Sequence, residues 1–169
     1  QHRPWRLSNA LLQEVVYGSI PSRSRRALHG RAALWFEEQR AALGSAAWAE
    51  IARHQQAAHD LARSAIAWLR SAEAAVKAFA SDEARAAFEK ARDAHDQSGA
   101  LNSAEEGAVL MGLGRLELEA GQLKQALRWA TKASGLDLGG RPDEHAKRLK
   151  FLAEVQEALG EIEPAQESL

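Results

Sequence analysis

Apolar side chains recur at three- and four-residue intervals along most of this 169-residue chain. That interval places them on one face of an α-helix. Glycine, proline and short polar stretches divide the pattern into nine predicted helices. The second of these, over 22–43, shows the interval in Leu28, Ala32, Trp35 and Phe36. β-branched residues are too few and too scattered to build a sheet, so we predict an all-α fold.

Helix-capping and helix-breaking residues set the predicted boundaries. The first helix runs from Ser8 or Asn9 to Tyr17, and Gly18 ends it. The others cover 22–43, 46–58, 61–79, 81–96, 103–121, a stretch ending at Ser134, a stretch that follows the break Gly139-Gly140-Arg141-Pro142 and ends at Gly160, and a last one opened by Pro164. The predicted N-terminal caps are Ser45, Asp60 and Ser81, and Ser103-Ala-Glu-Glu106 is a predicted capping box.

Helix pairs of this length predict a repeat. The tetratricopeptide pattern requires small residues where two helices cross closely, and residues 107–140 match it at Leu113-Gly114, Gly121, Ala126 and Ala133. The stretch from Ala146 repeats it with Leu152-Ala153, Gly160 and Ala165. Weaker frames place Trp48, Ala52 and Trp68 in one unit and Ala72, Ala84, Phe88 and Ala91 in the next, so helix 61–79 serves both units.

Two parts of the chain resemble a known family. They are the run Leu12 to Tyr17 with Ile20-Pro21, Arg25-Arg26, Leu28-His29 and Ala32, and the run Ile51 to Ala58 with Ala65 to Leu69 and Ala72. Over residues 7–95 the chain is similar to large bacterial LuxR-type and cyclase-associated regulators of the STAND class. The resemblance implies a segment that joins nucleotide-binding and winged-helix modules to a C-terminal tetratricopeptide array. It implies no ATPase activity here, because the ATP-binding half is not in this chain.

These patterns predict two regions. Residues 1–44 form an N-terminal helical pair that links to an upstream domain, and residues 45–169 form a tetratricopeptide-like superhelix with a candidate sub-boundary at 97–102. Because the sequence begins at Gln1 rather than Met, we expect it to be part of a longer protein.

Composition narrows the functional classes. The chain has 22 basic and 23 acidic residues, which argues against a chain-wide phosphate-binding surface. It has no cysteine, which excludes disulfides and thiol chemistry. No apolar run approaches the length of a membrane span. We expect a cytoplasmic protein with no membrane or direct nucleic-acid contact.

The sequence contains no complete catalytic or cofactor-binding motif. Gly107 to Gly112 has the spacing of a P-loop opening, but Leu113-Gly114 stands where Lys and Ser/Thr must be, so packing is the better interpretation. His54 and His59 are five residues apart and do not share a helix face, which argues against a zinc site. We interpret His29 and His54 instead as half-buried residues that hydrogen-bond between helices. No cofactor, metal or catalytic residue is expected.

Two candidate binding sites remain. In a tetratricopeptide stack the ligand-facing surface comes from the first helix of each pair, and its mixed character suits a peptide, although a merely solvated face is an equal alternative. The predicted groove residues are Arg53, Gln56, Met111, Arg115, Leu118, Glu119, Lys147, Lys150 and Glu154. The second site is Arg23, Arg25 and Arg26, whose charges oppose the helix dipole. We expect these three arginines to dock onto the upstream nucleotide-binding or winged-helix part.

The preferred function is a non-catalytic interaction or sensor module of a larger ATP-dependent signalling or transcriptional regulator. Its expected partners are a protein or peptide segment and the upstream nucleotide-binding domain of the parent chain. An independent tetratricopeptide scaffold or adaptor is one alternative. An accessory part of a nucleotide-binding enzyme is the other.

Overall fold

The structure, a computed structural model, describes residues 10–137 and 141–167, with side chains described for 11–137 and 141–160. Those residues form eight α-helices, a 3₁₀ turn at Gly44–Ala46 and no strand, which confirms the all-α prediction. The helices are α1 (Ala10–Ser19), α2 (Ser22–Leu43), α3 (Ala47–Ala57), α4 (Leu61–Lys77), α5 (Ser81–Ser98), α6 (Ser103–Glu119), α7 (Leu123–Ser134) and α8 (Pro142–Glu167).

The helices form an array in chain order. From α2 onward, each helix packs against the next one, and α4 also touches α6 while α6 touches α8. An amphipathic helix in such an array buries its apolar face only against its neighbours. The antiparallel helical array predicted from the sequence is therefore present.

Two apolar clusters hold the array together. The larger one spans α3 to α6 and contains Ile51, Trp68 and Phe88, and the smaller one joins α7 to α8 around Phe151 and Val155. Many of the buried residues are alanines, whose methyl side chains let two helix backbones approach each other. Six alanines that the repeat frames require are fully buried: Ala52, Ala72, Ala84, Ala91, Ala126 and Ala133.

The same turn joins α3 to α4, α4 to α5, and α6 to α7. In each turn a residue with positive φ follows the helix: His59 at 63°, Phe79 at 56° and Gly121 at 71°. The next N–H then donates to the carbonyl five residues earlier, the bond of a Schellman motif. These bonds are Asp60 to Gln55 at 2.9 Å, Ala80 to Ala75 at 3.0 Å, and Gln122 to Glu117 at 2.8 Å. The three predicted helix pairs thus share one turn, with glycine in only one of them.

Two predicted caps on the early helices are wrong. Ser45 lies inside the 3₁₀ turn, and Ser81 is the first residue of α5, so neither side chain caps a helix. The N-cap residue of α3, Ala46, is itself in the helical conformation, and the N-cap position of α5 is occupied by Ala80, so Ser81 lies one residue too late to cap. Asp60 is a cap as predicted, since its carboxylate accepts from the Arg63 N–H at 3.2 Å.

The capping box of α6 lies one residue earlier than predicted. The Asn102 side chain accepts from the N–H groups of Ala104 and Glu105, and the Glu105 carboxylate accepts from the Asn102 N–H at 3.1 Å. Asn102 takes the role because it has the extended backbone that an N-cap needs, whereas Ser103 is already helical. Gly99 ends α5 in the left-handed conformation, so the loop is 99–102 rather than 97–102.

Two predicted helix breaks are absent. Helix α8 continues through Gly160 and Pro164, and α1 continues through Gly18. A helical glycine costs only about 1 kcal/mol relative to alanine. A proline inside a helix removes one N–H donor and clashes with the carbonyl four residues earlier, at about 3 kcal/mol, but a helix can kink at a proline instead of ending there. The predicted repeat unit from Ala146 therefore lacks its turn. The proposed caps Ser8 and Asn9 and the glycines of 139–140 lie outside the described residues.

Candidate functional site

A cavity of about 610 Å³ opens between α4, α5 and α6. Pockets that hold small ligands or side chains of a partner have volumes of roughly 300–1,000 Å³. Its lining is largely apolar, with charged residues interspersed. The lining residues are Glu73, Val76, Lys77, Phe79, Ser81, Phe88, Ala108, Met111, Gly112, Arg115, Leu116 and Glu119.

Gly112 makes the inner wall of this cavity possible. A Cβ at this position would overlap the ring of Phe88, which is buried. The other glycines of the P-loop-like run are packing positions too: Gly107 lies against the Arg148 guanidinium, and a Cβ on Gly114 would come within 2.8 Å of Phe151. These glycines therefore serve close contacts between helices, as interpreted from the sequence.

Phe79 lines the cavity from the turn that follows α4. Its side chain is 94% exposed, although it is a large apolar ring. Its φ of 56° lies in the left-handed region, which costs a non-glycine residue roughly 1–2 kcal/mol. Neither packing nor backbone preference explains phenylalanine here. An outlier of this kind is a reason to look for function.

Charged groups surround the apolar lining. Glu73 accepts from Arg70 at 3.0 Å, so its charge is compensated. Lys77, Arg115 and Glu119 form no ion pair within the described part of the chain. The Arg115 guanidinium lies over the Phe151 ring, 5.3 Å from its centroid. The cavity thus combines an apolar interior with charges that remain available to a partner.

The structure brings three of the nine predicted groove residues together. Met111, Arg115 and Glu119 line the cavity at successive turns of α6. Leu118 packs instead against the cluster between α7 and α8. The remaining five lie elsewhere: Arg53 pairs with Glu50, Gln56 accepts from the Trp68 indole N–H at 3.1 Å, Lys147 pairs with Glu144 at 2.7 Å, and Lys150 and Glu154 are exposed.

Sequence reasoning missed the α4 side of this cavity. Val76 and Lys77 lie in the last turn of that helix, and Phe79 follows it. One signal was present: Phe79 occupies the turn position at which the pattern of the later helix pair has Gly121. A bulky residue at a position that favours glycine is a usable sign of a special site.

His29 and His54 connect α2 to α3, as predicted. Their Nδ1 atoms are 2.8 Å apart, and the Tyr17 hydroxyl hydrogen-bonds His29 Nε2 at 2.8 Å, which adds α1 to the chain. Both imidazoles are half-buried, and Phe36 stacks on His54 with centroids 5.5 Å apart. Burial, followed by the charge of His29, lowers the pKa of His54.

Arg148 is a buried cation that the sequence analysis did not identify. Its side chain is fully buried and donates to the carbonyl oxygens of Ala133 and Ser103. It therefore joins α8 to the last turn of α7 and the first residue of α6. Desolvation lowers the pKa of its guanidinium. The contacts are structural rather than part of the cavity.

The predicted docking arginines lie at the start of α2. The Arg25 guanidinium is 5.1 Å from the Tyr17 ring centroid, and Arg23 and Arg26 are exposed with no described ion pair. This helix start has no acidic residue in its first turn and no side-chain cap. Among the described residues, no carboxylate forms an ion pair with these three arginines.

Comparisons with protein-family models, curated proteins and solved structures found no significant match. Within the described residues, no helix is long and apolar enough to cross a membrane. The same part of the chain contains no group of three or more His, Cys, Asp or Glu residues placed to hold a metal ion.

Proposed function

We propose that this chain is a non-catalytic protein-interaction module whose cavity between α4, α5 and α6 receives apolar side chains of a protein or peptide segment. The observation that carries the proposal is Phe79, an exposed ring in a strained conformation beside an apolar cavity. Exposed aromatic residues supply large contact area to an interface at low entropic cost.

The wider setting follows from the family resemblance. We propose that the module belongs to a larger, cytoplasmic ATP-dependent signalling or transcriptional regulator, with the partner segment as its signal. Arg23, Arg25 and Arg26 face an upstream nucleotide-binding or winged-helix part in this proposal. The alternative is that the chain is an independent scaffold or adaptor and not part of a larger regulator. This alternative uses the same cavity.

A peptide-display selection tests the binding role. We expect a random peptide library to yield sequences that bind the wild-type chain and bind weakly to Phe79→Gly. The matched control is His59→Gly, which changes the equivalent turn after α3, away from the cavity. Selected peptides that bind both variants as well as wild type would place the binding surface elsewhere.

Calorimetry with ATP tests the remaining alternative, an accessory part of a nucleotide-binding enzyme. We expect no heat of binding from the isolated chain. Micromolar affinity for ATP would favour the enzyme alternative over the interaction module.

A further inference from the structure

Helix α1 presents an apolar face to solvent. The side chains of Leu11 and Val15 are 72% and 68% exposed, and Val16 is 43% exposed. Residues four apart lie on one side of a helix, so Leu11 and Val15 form one continuous surface. Exposed apolar surface of this kind commonly marks an interaction site.

The contact with α2 fixes which side of α1 is exposed. Tyr17 hydrogen-bonds His29, and Arg25 lies over the Tyr17 ring, so this side of α1 faces α2. Residues two apart lie about 160° apart around a helix, so Val15 points away from α2. Gly18 is on the outward side as well, and no atom lies within 4 Å of where its Cβ would be.

We propose that this outward face of α1 docks into the α4–α5–α6 cavity of a second copy of the chain. The inference rests on the proposed binding role of the cavity. Within one molecule α1 is held to the start of α2, and no residue of α1, α2 or α3 lines the cavity. The occupant therefore comes from another molecule.

The two surfaces match in chemistry. Leu11 and Val15 are apolar, as are most lining residues of the cavity. Glu14 is the only charged residue of α1, and it lies beside Leu11 because the two are three positions apart. The cavity offers Lys77 and Arg115, two cations that no described carboxylate pairs. Glu14 of one copy can therefore pair with a cation of the other.

Analytical ultracentrifugation of the full chain over a concentration series tests the docking. We expect reversible association in the wild type, weakened by Val15→Asp at least about tenfold, because docking would desolvate a carboxylate. The matched control is Leu34→Asp, which places the same charge at an exposed position of α2 and leaves association unchanged.

A charge-reversal cycle tests whether Glu14 of one copy lies next to a cation of the cavity in the other copy. Glu14→Lys and Lys77→Glu each weaken association about two- to fivefold, the range for an exposed ion pair, and the double variant recovers it. A second cycle uses Arg115→Glu in place of Lys77→Glu. A labelled peptide of residues 10–19 should also bind the cavity and be blocked by Phe79→Gly.

Three results overturn this inference. They are a wild-type chain that stays monomeric over the concentration series, association that survives Val15→Asp, and charge-reversal cycles in which neither Lys77→Glu nor Arg115→Glu recovers the association lost in Glu14→Lys. Peptides selected from a random library that still require Phe79 would leave the binding role of the cavity intact, so the two proposals fail separately.

Discussion

Phe79 and His59 occupy equivalent turns, and their comparison separates stability from binding. Both have positive φ, which glycine adopts without steric cost. We predict that Phe79→Gly raises the free energy of unfolding by about 1 kcal/mol, since the exposed ring contributes little packing. His59→Gly should stabilise the chain to a similar degree.

Chemical denaturation measures both effects, and peptide binding distinguishes them. Only Phe79→Gly should lose affinity. A destabilised Phe79→Gly variant would show that the ring packs in solution, and Phe79 would then be structural.

His54 gives the chain a pH dependence with a definite sign. The bond between the two Nδ1 atoms needs one donor and one acceptor, so it does not survive protonation of both rings. Burial and His29 lower the folded-state pKa of His54, Arg53 adds to this, and Glu50 opposes it. The folded state then binds fewer protons than the unfolded state, so the contribution of His54 to stability is fully present above about pH 6.5 and is lost as pH falls through its lowered folded-state pKa.

Thermal melts at about pH 7.5 and about pH 5.5 check this dependence. The midpoint should fall at the lower pH in wild type and fall less in His54→Gln. His59→Gln, which removes an exposed histidine outside this pair, is the matched control. If the melting midpoint falls equally with pH in wild type and in His54→Gln, groups other than His54 cause the pH dependence.

At the scale of elements, Arg148 joins three helices from inside the fold. Replacing it by Ala leaves the carbonyls of Ala133 and Ser103 without this donor and opens a cavity against Gly107. We predict a loss of about 2–4 kcal/mol in the free energy of unfolding, the range for buried unpaired groups together with lost packing.

Lys147→Ala on the same helix is the control, because its ion pair with Glu144 is exposed and should change stability little. Urea denaturation compares the two variants. Equal stability of Arg148→Ala and wild type would remove Arg148 from the framework of the fold.

These elements show what the sequence can and cannot predict. Ala126 and Ala133 were predictable because a helix crossing selects for small residues at fixed spacing, and α2 was predicted with its observed bounds. The turns at His59 and Phe79 were not predictable, because a Schellman motif without glycine leaves no recognisable residue pattern in the neighbouring sequence. The burial of Arg148 could not be predicted either, because it depends on a contact with Gly107, which is distant in the sequence.

The candidate site also has a part that the sequence predicted and a part that it did not. Met111, Arg115 and Glu119 were predicted because the first helix of a tetratricopeptide pair, here α6, forms the ligand-facing surface of the stack. The α4 wall depends on how two helices from different pairs lie together, which periodicity within one helix does not encode. A prediction from helix faces alone therefore gave three of the six lining residues on α6 and none of those on α4 or α5.

At the scale of the whole molecule, the two ends of α2 have different surroundings. Its later turns pack on α3, whereas its first turn carries Arg23, Arg25 and Arg26 without an acidic residue nearby. Positive charge at a helix N-terminus costs about 0.3–1 kcal/mol per residue. The cation–π contact of Arg25 with Tyr17 returns about 0.5–1 kcal/mol. Over three arginines the cost is about 1–3 kcal/mol and exceeds this return, so stability of the chain does not account for these arginines.

We therefore predict that replacing all three by Gln leaves the free energy of unfolding of this chain unchanged or raises it slightly, by up to about 2 kcal/mol. Arg31→Gln, beyond the first turn of the same helix, is the matched control and should be neutral. In a parent regulator the triple variant should loosen the contact with the upstream domain and alter signal-dependent activation, because arginine can hold a carboxylate through two hydrogen bonds. Denaturation of the chain and activation of the parent measure the two effects separately. A large loss of stability in the chain alone would mean that the arginines are paired within it, and their docking role would be wrong.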